Sequence, residues 1–263
     1  MMMAVRNEED NELLISALKP ISREEYEKQN RWFEVWNNRT VDLNRLRTEN
    51  QFQLYKELKK LDGFDVNVDD SEAYYKSFYD SMLALCNKNL INIKSVYEVG
   101  CGSGANLIIF EKLGMKVGGI DYSKKLVQAV DFILPDADVV CAEAIDLPIV
   151  PQYDVVISDS VFAYFKNEEY GLDVLEKMYT KAKKQVILLE IFDKEKKEEC
   201  ISFRKSQVEN YDEIYKNLDK TFYDKNAFVT FAQKHNCDIE FSKVENDYYW
   251  NSRYMYNCYI TKR

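Results

Sequence analysis

Residues 96–104, Val-Tyr-Glu-Val-Gly-Cys-Gly-Ser-Gly, constrain the fold of this chain more than any other stretch. Four residues of strand character (96–99) run into glycines at alternate positions, Gly100, Gly102 and Gly104. Apolar residues at helical spacing follow: Leu107, Ile108, Phe110 and Leu113. A buried strand that turns on glycines into a helix brings bare backbone and a helix N-terminus up to a ligand, because no Cβ stands between them. Glu98 narrows the choice of ligand. An acid just before the glycines repels a pyrophosphate and suits a cationic group. The glycine spacing also departs from the G-x-G-x-x-G of dinucleotide sites.

Three further apolar runs fall at the distances such a sheet needs. Residues 116–120 read as a second strand with Asp121 at its tip, where a carboxylate can accept from both hydroxyls of a ribose. Residues 138–141 read as a third, followed by Ala142-Glu143-Ala144-Ile145-Asp146-Leu147-Pro148. Residues 153–157 read as a fourth, leading into Ser158-Asp159-Ser160-Val161-Phe162-Ala163-Tyr164-Phe165. Helices are expected at 123–133 and 168–184 and a fifth strand at 185–191, the alternation of a doubly wound α/β sheet.

The run 98–104 resembles the first signature of class I S-adenosylmethionine-dependent methyltransferases, E/D-x-G-x-G-x-G, and residues 90–195 are similar to that family throughout. The resemblance implies a seven-stranded, mostly parallel sheet ordered 3-2-1-4-5-7-6, with strand seven alone antiparallel. Residues 238–244 and 254–260 supply the last two strands. It implies S-adenosylmethionine as cofactor, held by Glu98, Gly100, Cys101 and Gly102 at its amino-acid end and by Asp121 with Tyr122 at its ribose. Residues 142–148 look like the family's G-D-A-x-x-L-P segment. Glu143 stands where Asp is usual, and the Ala144 amide is expected at the adenine edge. Ser160 and Asp159 belong to the segment beside the transferred methyl group, and Tyr164 is the side chain expected to meet the acceptor. Asp159 and Tyr164 are therefore the catalytic candidates, with Glu190, Asp193 and Tyr249 as further polar groups. Many members carry a histidine where this chain has Ala163, which argues against histidine-assisted O-methylation.

Residues 1–92 are expected to form a helical extension that closes over the cofactor pocket, and 93–263 the methyltransferase domain, with a helical insertion at about 195–220. Within the extension, Ser22 and Glu25 form a capping box, and helices are expected over 43–61, ending near Gly63, and over 71–90. The stripe Trp32, Phe33 and Trp36 has the spacing of a core helix and equally of a cover on the pocket. Arg39 is either a bidentate clamp on the methionine carboxylate or a surface ion pair. His235, the sole histidine, reads as a surface residue on the last helix.

A net charge of −9 argues against bulk nucleic acid as substrate while leaving room for a small anion held by a few cations. The absence of a long apolar run argues against a membrane partner, and the start lacks the apolar region of a secretory signal. The six scattered cysteines suggest a reduced cytoplasmic setting without a metal site, and Cys101, Cys141 and Cys258 read as small hydrophobes. The expected activity is methyl transfer, as O-methylation, to a small polar acceptor: a metabolite, sugar nucleotide or capsule precursor. The W-F-x-x-W-x-x-R run at 32–39 and Y-W-N at 249–251 look similar to bacterial methyltransferases of surface-polysaccharide modification. N-methylation of a small amine and cofactor binding without turnover are the other readings. The chain is expected to act as a monomer or homodimer.

Overall fold

The computed structural model describes residues 32–64 and 71–263. The capping box at Ser22 lies outside them. Seven strands form one sheet: β1 (Ser95–Val99), β2 (Lys116–Asp121), β3 (Asp138–Cys141), β4 (Tyr153–Asp159), β5 (Ala182–Phe192), β6 (Asp238–Lys243) and β7 (Met255–Thr261). Their order is β3-β2-β1-β4-β5-β7-β6. β1 to β5 pair in parallel, whereas β7 runs antiparallel to both β5 and β6.

The central strands are apolar in unbroken runs because helices cover both faces of the sheet. Alternate residues divide between two layers. Val96, Val155 and Ile187 join one apolar cluster, and Tyr97, Val156, Val186 and Leu188 join the other. The second cluster is closed by α6 (Glu168–Lys181) and α9 (Lys225–His235) through Val174, Leu175, Met178 and Phe228.

The first cluster reaches beyond the sheet region. It takes in Tyr55 and Leu58 from α2 (Gln51–Lys59) and Tyr74, Tyr75, Phe78 and Met82 from α3 (Glu72–Asn89), packed on α4 (Leu107–Lys112) and α5 (Lys124–Ile133). Residues within 46–64 and 71–90 thus join this core, and 93–263 do not build it alone. The helix expected over 43–61 is also interrupted. A 3-10 turn, Leu43–Leu46, is capped by Asp42, and α2 starts afresh after Asn50, whose side chain accepts from the Gln53 N–H. Each short polar side chain caps the start of the segment that follows it, and residues 47–50 between the two leave the helical ladder.

The turn Lys60–Phe64 that follows α2 breaks from helical geometry at Gly63, whose φ of +88° only glycine adopts without strain. That turn aims Asp62 at the loop after β1, and Trp36 of α1 (Trp32–Asn37) fills the space beside Gly63. After β5, a 3-10 turn, α7 (Lys197–Gln207) and α8 (Tyr211–Ile214) form the insertion, which rejoins the sheet where Asp193 bridges to Tyr223. Among the described residues no helix is long and apolar enough to cross a membrane.

Candidate active site

The carboxyl ends of β1, β2 and β4 open into a cavity of about 1110 Å³, walled by α1, the loop after β4, the insertion and the β6–β7 link. Ordinary ligand sites run from roughly 300 to 1000 Å³, so this one has room for a cofactor and an acceptor together. Each cofactor and catalytic candidate borders it: Trp32, Arg39, Glu98, Gly100, Cys101, Gly102, Asp121, Tyr122, Glu143, Ala144, Asp159, Ser160 and Tyr164. Tyr249 does too. Asp193 does not take part: it caps the turn after β5 and pairs with Lys225. His235 stacks on Tyr179 and Phe231 and pairs with Glu176, away from the cavity. Cys101 and Cys258 are buried as expected, but Cys141 is exposed at the sheet edge.

Backbone geometry builds the glycine loop. The amides of Gly100 and Cys101 donate to the Ile120 carbonyl at 2.8 and 3.1 Å. Asp121 accepts from the amides of Gly102 at 3.0 Å and Ser123 at 2.8 Å, so this carboxylate also ties the loop to the tip of β2. On the other side Asp62 accepts from the Ser103 amide at 2.8 Å. A Cβ on Gly102 would lie 2.5 Å from Asp62 Oδ1. The side chain of Asp62, absent from the sequence reading, therefore demands glycine here as firmly as a ligand would.

Glu98 is only 2% exposed. Asn106 donates through Nδ2 to Glu98 Oε1 at 2.7 Å and to Asp159 Oδ2 at 3.0 Å, joining the tips of β1 and β4. Two acceptors in this group, Glu98 Oε2 and Asn106 Oδ1, are buried without a hydrogen-bond partner. Orphaned acceptors on a cavity wall call for a ligand that donates, and the α-ammonium of S-adenosylmethionine is such a donor. Burial, with neighbouring carboxylates, raises the Glu98 carboxyl far above its usual range. Burial also lifts Asp62 and Asp121 to about 6. A crowd of reluctant carboxylates is a site waiting for positive charge.

At the edge of β3, Glu143 accepts from the Tyr170 hydroxyl at 3.2 Å, with Ala144 beside it on the wall. Over β2, Tyr122 stacks on Phe33 at 5.3 Å and donates to the Trp32 carbonyl at 3.3 Å, while the Ser123 hydroxyl donates to the Trp36 carbonyl at 3.1 Å. These contacts dock α1 across the tip of β2. Arg39 sends Nε and Nη2 to the Leu61 and Lys60 carbonyls at 2.8 and 2.7 Å, so most of its fork fastens the end of α2.

Ser160 and Glu190 both adopt left-handed backbone, φ +59° and +57°, at the ends of β4 and β5, and the Ser160 hydroxyl donates to Glu190 Oε2. Two such residues bonded to each other mark stored strain, which gathers at functional sites. Burial, then the charge of Asp159, raises Glu190 to about 7. Tyr164 presents its ring to Trp32 and Trp36 edge-on at 4.9 and 5.4 Å. Burial pushes its hydroxyl to about 12.

Residues 97–189 match the methyltransferase domain family. None of the curated proteins matches the chain. Among solved structures, magnesium protoporphyrin IX methyltransferase (ChlM) from Synechocystis PCC 6803 with bound S-adenosylhomocysteine aligns with a TM-score of 0.54. It is 15% identical, over 81% of this chain and 100% of that one. The plantazolicin methyltransferase BpumL, also with S-adenosylhomocysteine, aligns at 0.55 with 14% identity, over 81% of this chain and 94% of that one. A protein from Pyrococcus horikoshii OT3 aligns at 0.58 with 16% identity, over 77% of this chain and 99% of that one. At such identities the likeness is one of fold, and the domain match with its glycine loop carries the activity. Residues 97–189 of the chain are a methyltransferase domain, set in a sheet with the fold of S-adenosylmethionine-dependent methyltransferases.

Proposed function

We propose that the chain methylates a hydroxyl of a small polar acceptor, a metabolite, sugar nucleotide or capsule precursor, with Glu190 as the base. The observation behind this reading is the strained Ser160–Glu190 pair, whose carboxyl is held at about 7 beside Asp159. A base works best when its pKa lies near the working pH. Glu98 and Asn106 would hold the cofactor's ammonium, Asp121 and Tyr122 its ribose, and Glu143 with the Ala144 amide its adenine. Lys59, 7% exposed on the same wall, is the cation nearest in kind to what a carboxylate needs, given how Arg39 is used. S-adenosylmethionine supplies an electrophilic methyl group on a sulfonium. Glu190 lies behind Ser160 rather than on the cavity wall, so the Ser160 hydroxyl would take the acceptor's proton as its oxygen attacks and pass its own to the Glu190 carboxylate. Trp32, Trp36 and Tyr164 wall the pocket, which excludes water from the displacement, so α1 acts as a cover.

An amine acceptor is favoured by the aromatic lining. That lining, however, already surrounds a cation: Lys220 Nζ lies 4.2 Å from the Tyr164 ring and 5.1 Å from the Trp32 ring. The test is transfer of a labelled methyl group to a panel of hydroxyl, carboxyl and amine compounds. Glu190→Gln should lose about 10²-fold or more in rate on hydroxyl acceptors while keeping S-adenosylhomocysteine affinity. Label found on amines alone, or an unaffected Glu190→Gln rate, would sink the O-methylation reading.

A further inference from the structure

The insertion carries two cations that the cofactor end does not explain. Arg204 of α7 is 8% exposed and borders the cavity. Its Nε donates to the Tyr211 hydroxyl at 3.1 Å, and its guanidinium lies 5.0 Å from the Tyr215 ring and 5.4 Å from the Trp250 ring. No carboxylate among the described residues pairs with it. Lys220, at the end of the insertion, is in the same position. Its ammonium sits among the rings of Trp32, Tyr164 and Phe192 with no hydrogen bond or ion pair among the described residues.

Neighbouring cations are handled differently. Lys194 pairs with Glu168, Lys205 with Asp212 and Lys225 with Asp193. Arg204 and Lys220, like Lys59 and Lys166 elsewhere on the same cavity wall, have no ion-pair partner among the described residues. Lys220 feels the charge of Glu190, but the two form no ion pair, and a desolvated cation held short of direct pairing is costly unless something arrives to pair with it. Both side chains border the same cavity; burial, then the charge of Arg204, holds Lys220 down to about 7, against the opposing pull of Cys200 and Glu190.

We infer that Arg204 and Lys220 form the anion subsite of the acceptor pocket, so that the methylated substrate carries a carboxylate or phosphate group. Arginine's planar fork and a lysine head suit either oxyanion. The surrounding tyrosines and tryptophans would cover the apolar or ring part of the same molecule. This rests on the cavity being the methyl-transfer site. It deepens that reading by giving the acceptor a charge, and it makes an amine acceptor at Tyr164 the less suited, since a second cation would meet Lys220.

The test is calorimetric titration of the full chain, first with S-adenosylhomocysteine. The loaded protein is then titrated with benzoate, phenyl phosphate and neutral benzyl alcohol. Tighter binding of benzoate or of phenyl phosphate than of benzyl alcohol is the expected result, and the better of the two names the anion. Lys220→Met keeps the stem against the rings, and Arg204→Gln keeps a donor for Tyr211. Each should weaken the anionic probe about tenfold or more while S-adenosylhomocysteine affinity stays within about twofold. Three probes of equal affinity would overturn the inference, as would variants that lose S-adenosylhomocysteine in step with the probe. If S-adenosylhomocysteine itself fails to bind the native chain, the methyl-transfer reading of the cavity falls and this inference with it.

Discussion

The two ends of the cavity are built by opposite means. At the cofactor end, Glu98, Asp121 and Asp159 stand at the tips of β1, β2 and β4, and the sheet fixes them relative to one another. Their surplus is negative. At the end proposed for the acceptor, α1, the insertion and the β6–β7 link converge from distant parts of the chain, and the insertion brings Arg204 and Lys220. A parallel sheet can hold a shared ligand in place with its backbone, whereas a private ligand must be met by side chains on segments free to vary.

Substitution in the glycine loop gives the largest expected effect, because it attacks backbone. A side chain at Gly100 would put Cβ 2.3 Å from Val161 Cγ2 at a φ of +76°. Gly100→Val should abolish S-adenosylhomocysteine binding in calorimetry and lower the melting temperature. Retained affinity would mean that the loop yields more easily than its packing implies. Asp121→Ala comes next. It removes the acceptor for two loop amides as well as a ligand contact, and should weaken the cofactor by about 1–3 kcal/mol. Asp121→Asn, which keeps one acceptor oxygen, should recover part of the loss. Equal losses in the two variants would show that charge alone matters at this position.

The contrast also governs what the sequence reveals. Glu98, the three glycines and Asp121 are legible because strand tips and a glycine turn dictate both residue type and spacing. The fold is legible for the same reason, down to the antiparallel β7. Asp62 and Asn106 are not, although they sit at the heart of the loop. Asp62 reaches Ser103 from 41 residues away through a turn that ends α2, and no local pattern announces such a contact. The core role of α2 and α3 is hidden likewise, since an amphipathic helix does not declare which sheet it covers. Arg204 looks in sequence like any other base in a run of lysines and glutamates. Only its lack of a carboxylate partner among the described residues sets it apart.

The charge contrast predicts opposite pH slopes. Asp62 and Asp121 are held at about 6 by burial, so they gain protons as pH falls through that range and lose their pull on a cationic ligand. Cofactor affinity should therefore fall below pH 6. Lys220, held at about 7 with Arg204, Cys200 and Glu190 around it, loses its proton as pH rises. Glu190 becomes an anion over the same range. Affinity for benzoate or phenyl phosphate should therefore fall above pH 7. Calorimetry of each ligand from pH 5 to 9 reads both slopes, and slopes of the same sign would erase the distinction between the ends. The cofactor's own contribution is more modest. At 100 times its Kd, S-adenosylhomocysteine should stabilise the chain by about 2.7 kcal/mol, a rise in melting temperature of roughly 5–10 °C for a chain of this size.

The smallest effect belongs to the residue that the sequence alone puts forward most strongly. Tyr164 lies just past β4, where an acceptor-facing hydroxyl would be expected, but its neighbours give it another part. Its ring is held edge-on by Trp32 and Trp36, and Lys220 sits over its face. With the hydroxyl pushed to about 12 by burial and by Glu190, it is a poor proton acceptor near neutrality. Glu190, held at about 7, is a far better one. Tyr164→Phe keeps the ring and every one of those aromatic contacts, so turnover should stay within about threefold of the native rate, against the 10²-fold loss expected for Glu190→Gln. Measured side by side on one hydroxyl acceptor, the two variants assign the proton. A large loss in Tyr164→Phe with a mild one in Glu190→Gln would move the base from the end of β5 to the loop after β4. Tyr164 would then be a catalytic group as well as a wall.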